Sequence, residues 1–281
     1  MVIPVSDPSD PCIAAYTGLR DAHIREQGLT ISDPARDSFI AEGELVVRQL
    51  IDSGLGIRSV LLTPTRLESV RDALDRLPPG VPVYTADQPV LNAIAGFNIH
   101  RGILACGQRP AQPGLDRLLA AARTLVILED LSNHDNIGGI FRATAALAWA
   151  PPDPAAILLS PRCADPLYRK AIRVSMGTVL RVPFARLDPW PDGFGRLKAA
   201  GFTCIALTPD PGSVPIDRVP PIPRPAILLG AEGPGLSAAA LSSADLRVRI
   251  PINPQIDSLN VVTAAAIALD RLRPGGSDNP R

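Results

Sequence analysis

Pro225-Ala226-Ile227-Leu228-Leu229-Gly230-Ala231-Glu232-Gly233-Pro234-Gly235-Leu236-Ser237 passes from an unbroken apolar run, through a turn holding three glycines, into the start of a helix. A strand with no polar face has to be covered on both sides, as inner strands of parallel sheets are. Outward from it the same pattern recurs at 124–129 (TLVILE), 155–160 (AAILLS), 179–184 (VLRVPF), 202–208 (FTCIALT) and 246–252 (LRVRIPI). Helical stretches are expected between these runs, near 137–149, 166–176, 191–200, 236–243 and 258–272. Strands alternating with helices predict an α/β fold with a parallel sheet. Ligands of such sheets sit beyond the carboxyl ends of the strands, so the loops after residues 129, 208, 230 and 252 are where chemistry is expected.

The section before residue 107 reads as a smaller α/β domain. Residues 36–53 place Phe39, Ile40, Leu45, Val46, Val47, Leu50 and Ile51 at helical spacings and predict one amphipathic helix ending at Gly54. A strand at 59–63, a helix over 66–77, and strands at 81–84 and 102–106 predict a small mixed or parallel sheet. The stretch 107–116, GQRPAQPGLD, has linker composition. The expected organisation is a domain over 1–106, a linker over 107–117, a second domain over 118–273 and a flexible tail over 274–281.

The 281 residues carry 28 basic and 28 acidic side chains, and 26 of the bases are arginine. Zero net charge by itself announces no polyanion partner. The balance is uneven, however: residues 1–110 hold 10 bases against 13 acids and the rest 18 against 15. Arginine suits bidentate contact with phosphate, and a coding bias toward Ala, Pro and Arg would give the same excess. A hydrophobic content of 46% is too high for intrinsic disorder. The apolar run 261–269 is about half the length needed to cross a bilayer, so no membrane association is expected. The N-terminus lacks signal-peptide features, and Cys12, Cys106, Cys163 and Cys204 form no CxxC pair. A cytoplasmic protein with reduced cysteines and no structural metal is the expectation.

Three loops carry candidate chemistry. In Leu128-Glu129-Asp130-Leu131-Ser132-Asn133-His134-Asp135-Asn136-Ile137-Gly138-Gly139-Ile140-Phe141-Arg142, Asn136 reads either as a helix cap or as a site residue. Arg142 falls in an otherwise apolar helix, where an unpaired buried arginine would be costly. In the 230–237 turn, Glu232 reads either as a partner for neighbouring amides or as polar recognition. The GxxGxG spacing there is not that of a dinucleotide fold, which disfavours an oxidoreductase. In Ile250-Pro251-Ile252-Asn253-Pro254-Gln255-Ile256-Asp257-Ser258-Leu259-Asn260-Val261, Ser258 is a plausible cap, whereas Asn260 is expected inside the first helical turn.

Together and in this order the three loops resemble the signature motifs of the SpoU, or TrmH-like, family of RNA 2′-O-ribose methyltransferases, members of the SPOUT class. The matching residues are Asn136-x5-Arg142, Leu229-Gly230-Ala231-Glu232-Gly233-x-Gly235-Leu236-Ser237, and Ile250-Pro251-Ile252 followed by Ser258-Leu259-Asn260-Val261. Phe39-Ile40-Ala41-Glu42-Gly43 and His100-Arg101-Gly102-Ile103-Leu104-Ala105 are similar to the family's N-terminal substrate-binding domain. Departures are His134-Asp135 where the family often has Asp-Pro, Ala231 where it has Ser, and Arg142-Ala143-Thr144-Ala145 for its commonest Arg-Thr-Ala.

The resemblance implies a deep trefoil knot, S-adenosyl-L-methionine as cofactor, a homodimer, and methylation of an RNA ribose 2′-hydroxyl. It implies that Arg142, Asn136, Glu232, Ser258 and Asn260 form the catalytic site and that Gly230, Ile250, Leu259 and Leu207 contact the cofactor. Arginine is too weak a base to accept the hydroxyl's proton at neutral pH, so stabilising the alkoxide, or holding an RNA phosphate that takes the proton, is physically easier. Arg162, Arg169, Lys170 and Arg173 are the candidate RNA contacts, with a solvated helix face as the alternative. An N-terminal substrate domain favours ribosomal RNA over tRNA by analogy with the family. A non-catalytic RNA-binding protein of the same fold is the rival reading.

Overall fold

The computed structural model describes residues 2–17, 37–96, 98–99, 102–148 and 154–274. His100, Arg101 and the expected tail from residue 275 lie outside the described residues. The chain divides into two compact units, one of Met1–Ala111 with Asp165–Arg181, the other of Gln112–Ala164 with Val182–Arg281. Asp165–Arg181, which the sequence places within the second domain, thus packs with the first unit.

In the first unit the strands are β1 (Val2–Pro4), β2 (Ser38–Glu42), β3 (Ile57–Leu62), β4 (Val83–Thr85) and β5 (Ile103–Gln108). Among the described residues they form one mixed sheet in the order β1-β4-β3-β5-β2. β1, β4 and β3 run parallel, and β5 is antiparallel to both β3 and β2. The helices are α1 (Glu44–Asp52), α2 (Pro64–Leu67), α3 (Arg71–Leu74) and α4 (Gln88–Ala95).

The helix expected over 36–53 is therefore corrected to a strand followed by a helix. Gly43 sits at φ 95°, outside the helical region, so residues on either side of it cannot share one helix. Phe39, Ile40, Ala41 and Glu42 are all buried, and β5 supplies their backbone partners. The expected helix over 66–77 is two short pieces, because Val70 at φ −118° and ψ 9° interrupts it. The sequence reading did not single out β1 or α4.

In the second unit, α5 (Leu115–Ala121) leads into β6 (Thr124–Leu128), α6 (His134–Leu147) and β7 (Ala155–Leu159).

 In the first unit, α7 (Arg169–Val174) follows; back in the second come β8 (Phe184–Arg186), α8 (Phe194–Ala199), β9 (Thr203–Leu207), β10 (Val214–Pro215), β11 (Pro225–Leu229), α9 (Ala238–Ser243), β12 (Leu246–Arg249) and α10 (Val261–Leu272).

Among the described residues the seven strands of the second unit form one sheet in the order β10-β12-β9-β11-β6-β7-β8, and every pair is parallel. The parallel α/β architecture read from the apolar runs is what the chain adopts. β6, β7 and β11 are buried along their whole length. Leu125, Ile127, Leu158, Leu228 and Cys204 form the core on one side with Leu118, Leu187, Phe194, Leu197 and Phe202.

The strand expected over 179–184 is corrected: Thr178–Leu180 is a 3-10 turn, and pairing starts only at Phe184. Residues up to Arg181 belong to the first unit, and Pro183 has no N–H to give a ladder. On the other face, α6 and α10 approach closely at Gly139, where an added Cβ would lie 2.8 Å from a Val262 methyl. Among the described residues no helix is long and apolar enough to cross a membrane.

Candidate active site

A cavity of about 390 Å³ opens at the carboxyl ends of β9, β11 and β12. Leu207, Thr208 and Pro209 close one side, and Val248, Ile250 and Ile252 another. The turn Gly230 to Gly235 and the segment Ser258 to Val261 complete the wall. Three of the four loops marked by the sequence line this cavity; the loop after residue 129 does not.

The glycine turn is folded on itself. Gly235 N–H donates to the Ala231 carbonyl at 3.0 Å, and Gly233 and Gly235 have φ values of 85° and 70°. A Cβ on Gly230 would stand 2.2 Å from the Gly235 carbonyl carbon, a backbone atom that has nowhere to go. Glycine is therefore obligatory at this position for the turn to close.

Gly230, Ile250, Leu259 and Leu207, the four expected cofactor contacts, all line the cavity. So do Glu232, Ser258 and Asn260. Asn260 Nδ2 donates to Glu232 Oε1 and to Asn136 Oδ1, each at 3.4 Å, so three of the five candidate catalytic residues form one chain of long hydrogen bonds. Asn136 itself is 5% exposed, inside α6.

Two capping assignments are reversed. The cap of α6 is Asn133, whose side chain accepts from Asp135 N–H, and Asn136 lies three residues further in. Asn260, expected inside a helix, is the cap of α10, accepting from Val262 N–H at 2.9 Å and Thr263 N–H at 3.4 Å. The reason is where each helix starts. α6 begins earlier than expected because Asn133 already supplies a cap. α10 begins later because Asn260, at φ −54° and ψ 138°, is still extended, so the helix can start only at Val261. Ser258 precedes the helix, whose cap is Asn260.

Arg142 differs from the expectation of a buried cation: it is exposed on α6. It stands outside the cavity lining. Six residues along a helix turn it roughly 120° away from Asn136. Among the described residues no side chain pairs with it.

The candidate RNA contacts fall in both units. Arg162 is exposed and paired with Asp130, whose carboxyl this guanidinium holds below its usual range. Asp130 has φ 54°, rare outside glycine, and its N–H is accepted by the Ser160 hydroxyl. Arg169 and Arg173 both reach the Glu42 carboxylate, Arg169 closely and Arg173 at 3.3 Å. Glu42 is buried and Arg169 nearly so, which makes this pair of arginines a packed ionic cluster of the first unit and not a solvated face. Lys170 lies on the same short helix, partly exposed.

Sequence reading assigned no role to Glu129. It is 3% exposed at the end of β6 and accepts from Trp190 and Ser237. Its only signal was an acidic residue ending an apolar strand.

A parallel α/β sheet with a glycine-walled cavity and an Asn-Asn-Glu chain beside it defines a class of site, and comparison with known proteins shows the family to which the chain belongs. Residues 123–270 match the model of the SpoU rRNA Methylase family, and the chain belongs to this family of RNA methyltransferases. It is 39% identical over 280 residues to an uncharacterized tRNA/rRNA methyltransferase of Mycobacterium bovis, covering 98% of this chain and 93% of the relative. It is 27% identical over 238 residues to RlmP of Bacillus subtilis, a 23S rRNA (guanosine(2553)-2′-O)-methyltransferase, covering 84% and 89% of the two chains. The crystal structure of an AdoMet-bound rRNA methyltransferase from Sinorhizobium meliloti superposes with a TM-score of 0.74 at 25% identity, covering 96% of this chain and 97% of that one.

Proposed function

We propose that this protein transfers a methyl group from S-adenosyl-L-methionine to a ribose 2′-hydroxyl of RNA, in ribosomal RNA rather than tRNA. The observation that carries the reading is the cavity itself, whose lining holds Gly230, Ile250, Leu259 and Leu207 together with Glu232, Ser258 and Asn260. Apolar side chains and turn backbone are the groups an adenosyl moiety requires. The ribose target and ribosomal RNA are supported by the activity of the Bacillus subtilis relative. Part of the same reading is a homodimer, acting in the cytoplasm, whose cavity loops are tied in a trefoil knot.

When bound, S-adenosyl-L-methionine supplies an electrophilic methyl group on a sulfonium centre. The chain's own residues handle the hydroxyl. Asn260, held as a helix cap, keeps its amide donors beside the cavity, and Glu232 and Asn136 fix the direction in which they point. Arg142 is a solvated cation available to an RNA phosphate or to the oxygen losing its proton. A guanidinium stays protonated at neutral pH, so it acts by stabilising charge and not by accepting the proton. Arg162 and Lys170 provide further RNA contacts in this reading, and Arg169 and Arg173 contribute only as far as Glu42 leaves their donors free.

The test is incubation with labelled S-adenosyl-L-methionine and RNA from cells with and without the gene, followed by mapping of 2′-O-methyl positions. Cofactor binding and a single lost ribose methylation in ribosomal RNA are expected. No cofactor binding would overturn the reading, and label on a base would overturn the ribose target. Arg142→Ala is expected to abolish transfer while titration calorimetry shows cofactor affinity nearly unchanged. Equal loss of both would give Arg142 a folding role instead.

A further inference from the structure

Glu129 grips both ends of the glycine turn. Its backbone N–H donates at 2.9 Å to the carbonyl of Leu229, the last residue before the turn. Its carboxylate holds Ser237, just after the turn: Oε2 accepts the Ser237 N–H at 2.8 Å and Oε1 the Ser237 hydroxyl at 2.6 Å. The indole N–H of Trp190, the third donor to the carboxylate, also reaches Oε1, at 2.9 Å. The Ser237 hydroxyl in turn accepts from Ala240 N–H at 3.1 Å as the cap of α9, which commits its proton to Glu129.

We propose that Glu129 is the positioning residue of the cavity, fixing the span of the 230–236 turn and hence the wall against which the cofactor lies. The proposal rests on reading this cavity as the S-adenosyl-L-methionine site. Between its two anchors the turn is short of internal ties: within it, Gly235 N–H to Ala231 O closes the loop, and Glu232, Gly233 and Gly235 are exposed. The anchors therefore decide where the turn stands. All three partners of the carboxylate are donors, so an acceptor-only group is required. Glutamine in its place has the same shape but turns an amide N–H₂ toward one of those donors, leaving that part-buried donor unpaired.

The experiment compares the wild-type chain with Glu129→Gln and Ser237→Ala by hydrogen exchange and by steady-state kinetics with S-adenosyl-L-methionine and RNA. In Glu129→Gln, exchange of the hydrogen-bonded Gly235 and Ser237 amides is expected to quicken about tenfold while the 226–229 amides stay as protected as before. KM for S-adenosyl-L-methionine is expected to rise about tenfold, with kcat and KM for RNA within about twofold. Ser237→Ala removes one of the bonds and is expected to change both readouts in the same direction by less. It also keeps the test decisive should Glu129→Gln fail to fold. Unchanged exchange at Gly235 and Ser237, or loss confined to kcat, overturns the positioning role. A wild-type protein that binds no S-adenosyl-L-methionine overturns the cofactor reading instead, and the exchange comparison still decides whether Glu129 sets the turn.

Discussion

Asn260 does two jobs with one amide. Its Oδ1 caps α10, while its Nδ2 reaches Asn136 and Glu232. Substitution separates the two. Asn260→Ala is expected to lower the unfolding free energy by about 1 kcal/mol in chemical denaturation, the usual cost of a lost cap. Asn260→Ser keeps a capping oxygen, so stability should stay within a few tenths of a kcal/mol of wild type while methyl transfer falls. Cys204 carries a different prediction. Burial pushes its thiol up to about 12. The folded state therefore holds the proton more tightly than the unfolded chain, whose thiols titrate near ~8.5. This stabilisation is complete below that value and is lost as pH rises toward the folded one, at up to about 1.4 kcal/mol per pH unit. Denaturation curves collected from pH 8 to 10 should fall less steeply for Cys204→Ala than for wild type. Of these residue-level facts the sequence showed which side chains matter but not the task of each. Asn136 and Asn260 exchange the cap and non-cap roles expected of them, because a cap is defined by where the helix starts.

At the scale of elements, α6 and α10 are held close by the missing side chain of Gly139. Gly139→Ala gains about 1 kcal/mol of helix propensity but forces a methyl within 2.8 Å of Val262, a β-branched side chain with little freedom to move. Overpacking costs about 1–3 kcal/mol, so the clash outweighs the gain and the variant should be less stable. Pairing it with Val262→Ala should recover stability, and a double-mutant cycle by thermal unfolding would measure the coupling. Elements with one strong pattern were legible: β6, β7, β9 and β11 lie within a residue or two of their apolar runs. The stretch 36–53 was not, because Phe39 and Ile40 satisfy helical spacing and a buried strand equally well. The left-handed φ of Gly43 and the open edge of β5 settle it.

At the scale of the molecule, Glu42 of β2 and Arg169 and Arg173 of α7 join parts of the first unit more than 120 residues apart in the chain. Removing one partner of a buried ion pair leaves charge without compensation, so Glu42→Ala should cost about 3 kcal/mol. Hydrogen exchange is expected to show it as lost protection in Ser38–Glu42 and Asp165–Arg181 together, with β6 and β11 unaffected. If Asp165–Arg181 alone is affected, the cluster does not join them. The sequence by itself determined the parallel α/β sheet, the loops at its carboxyl ends and the family, because long apolar runs and fixed spacings of Gly, Asn, Arg and Glu are local properties. Only the tertiary structure decided that Asp165–Arg181 packs with the first unit, that Arg142 is exposed, and that Glu129 anchors the glycine turn. Each of these depends on which distant groups meet, and a buried charge or an acceptor with three donors acquires its partners only when the chain has folded.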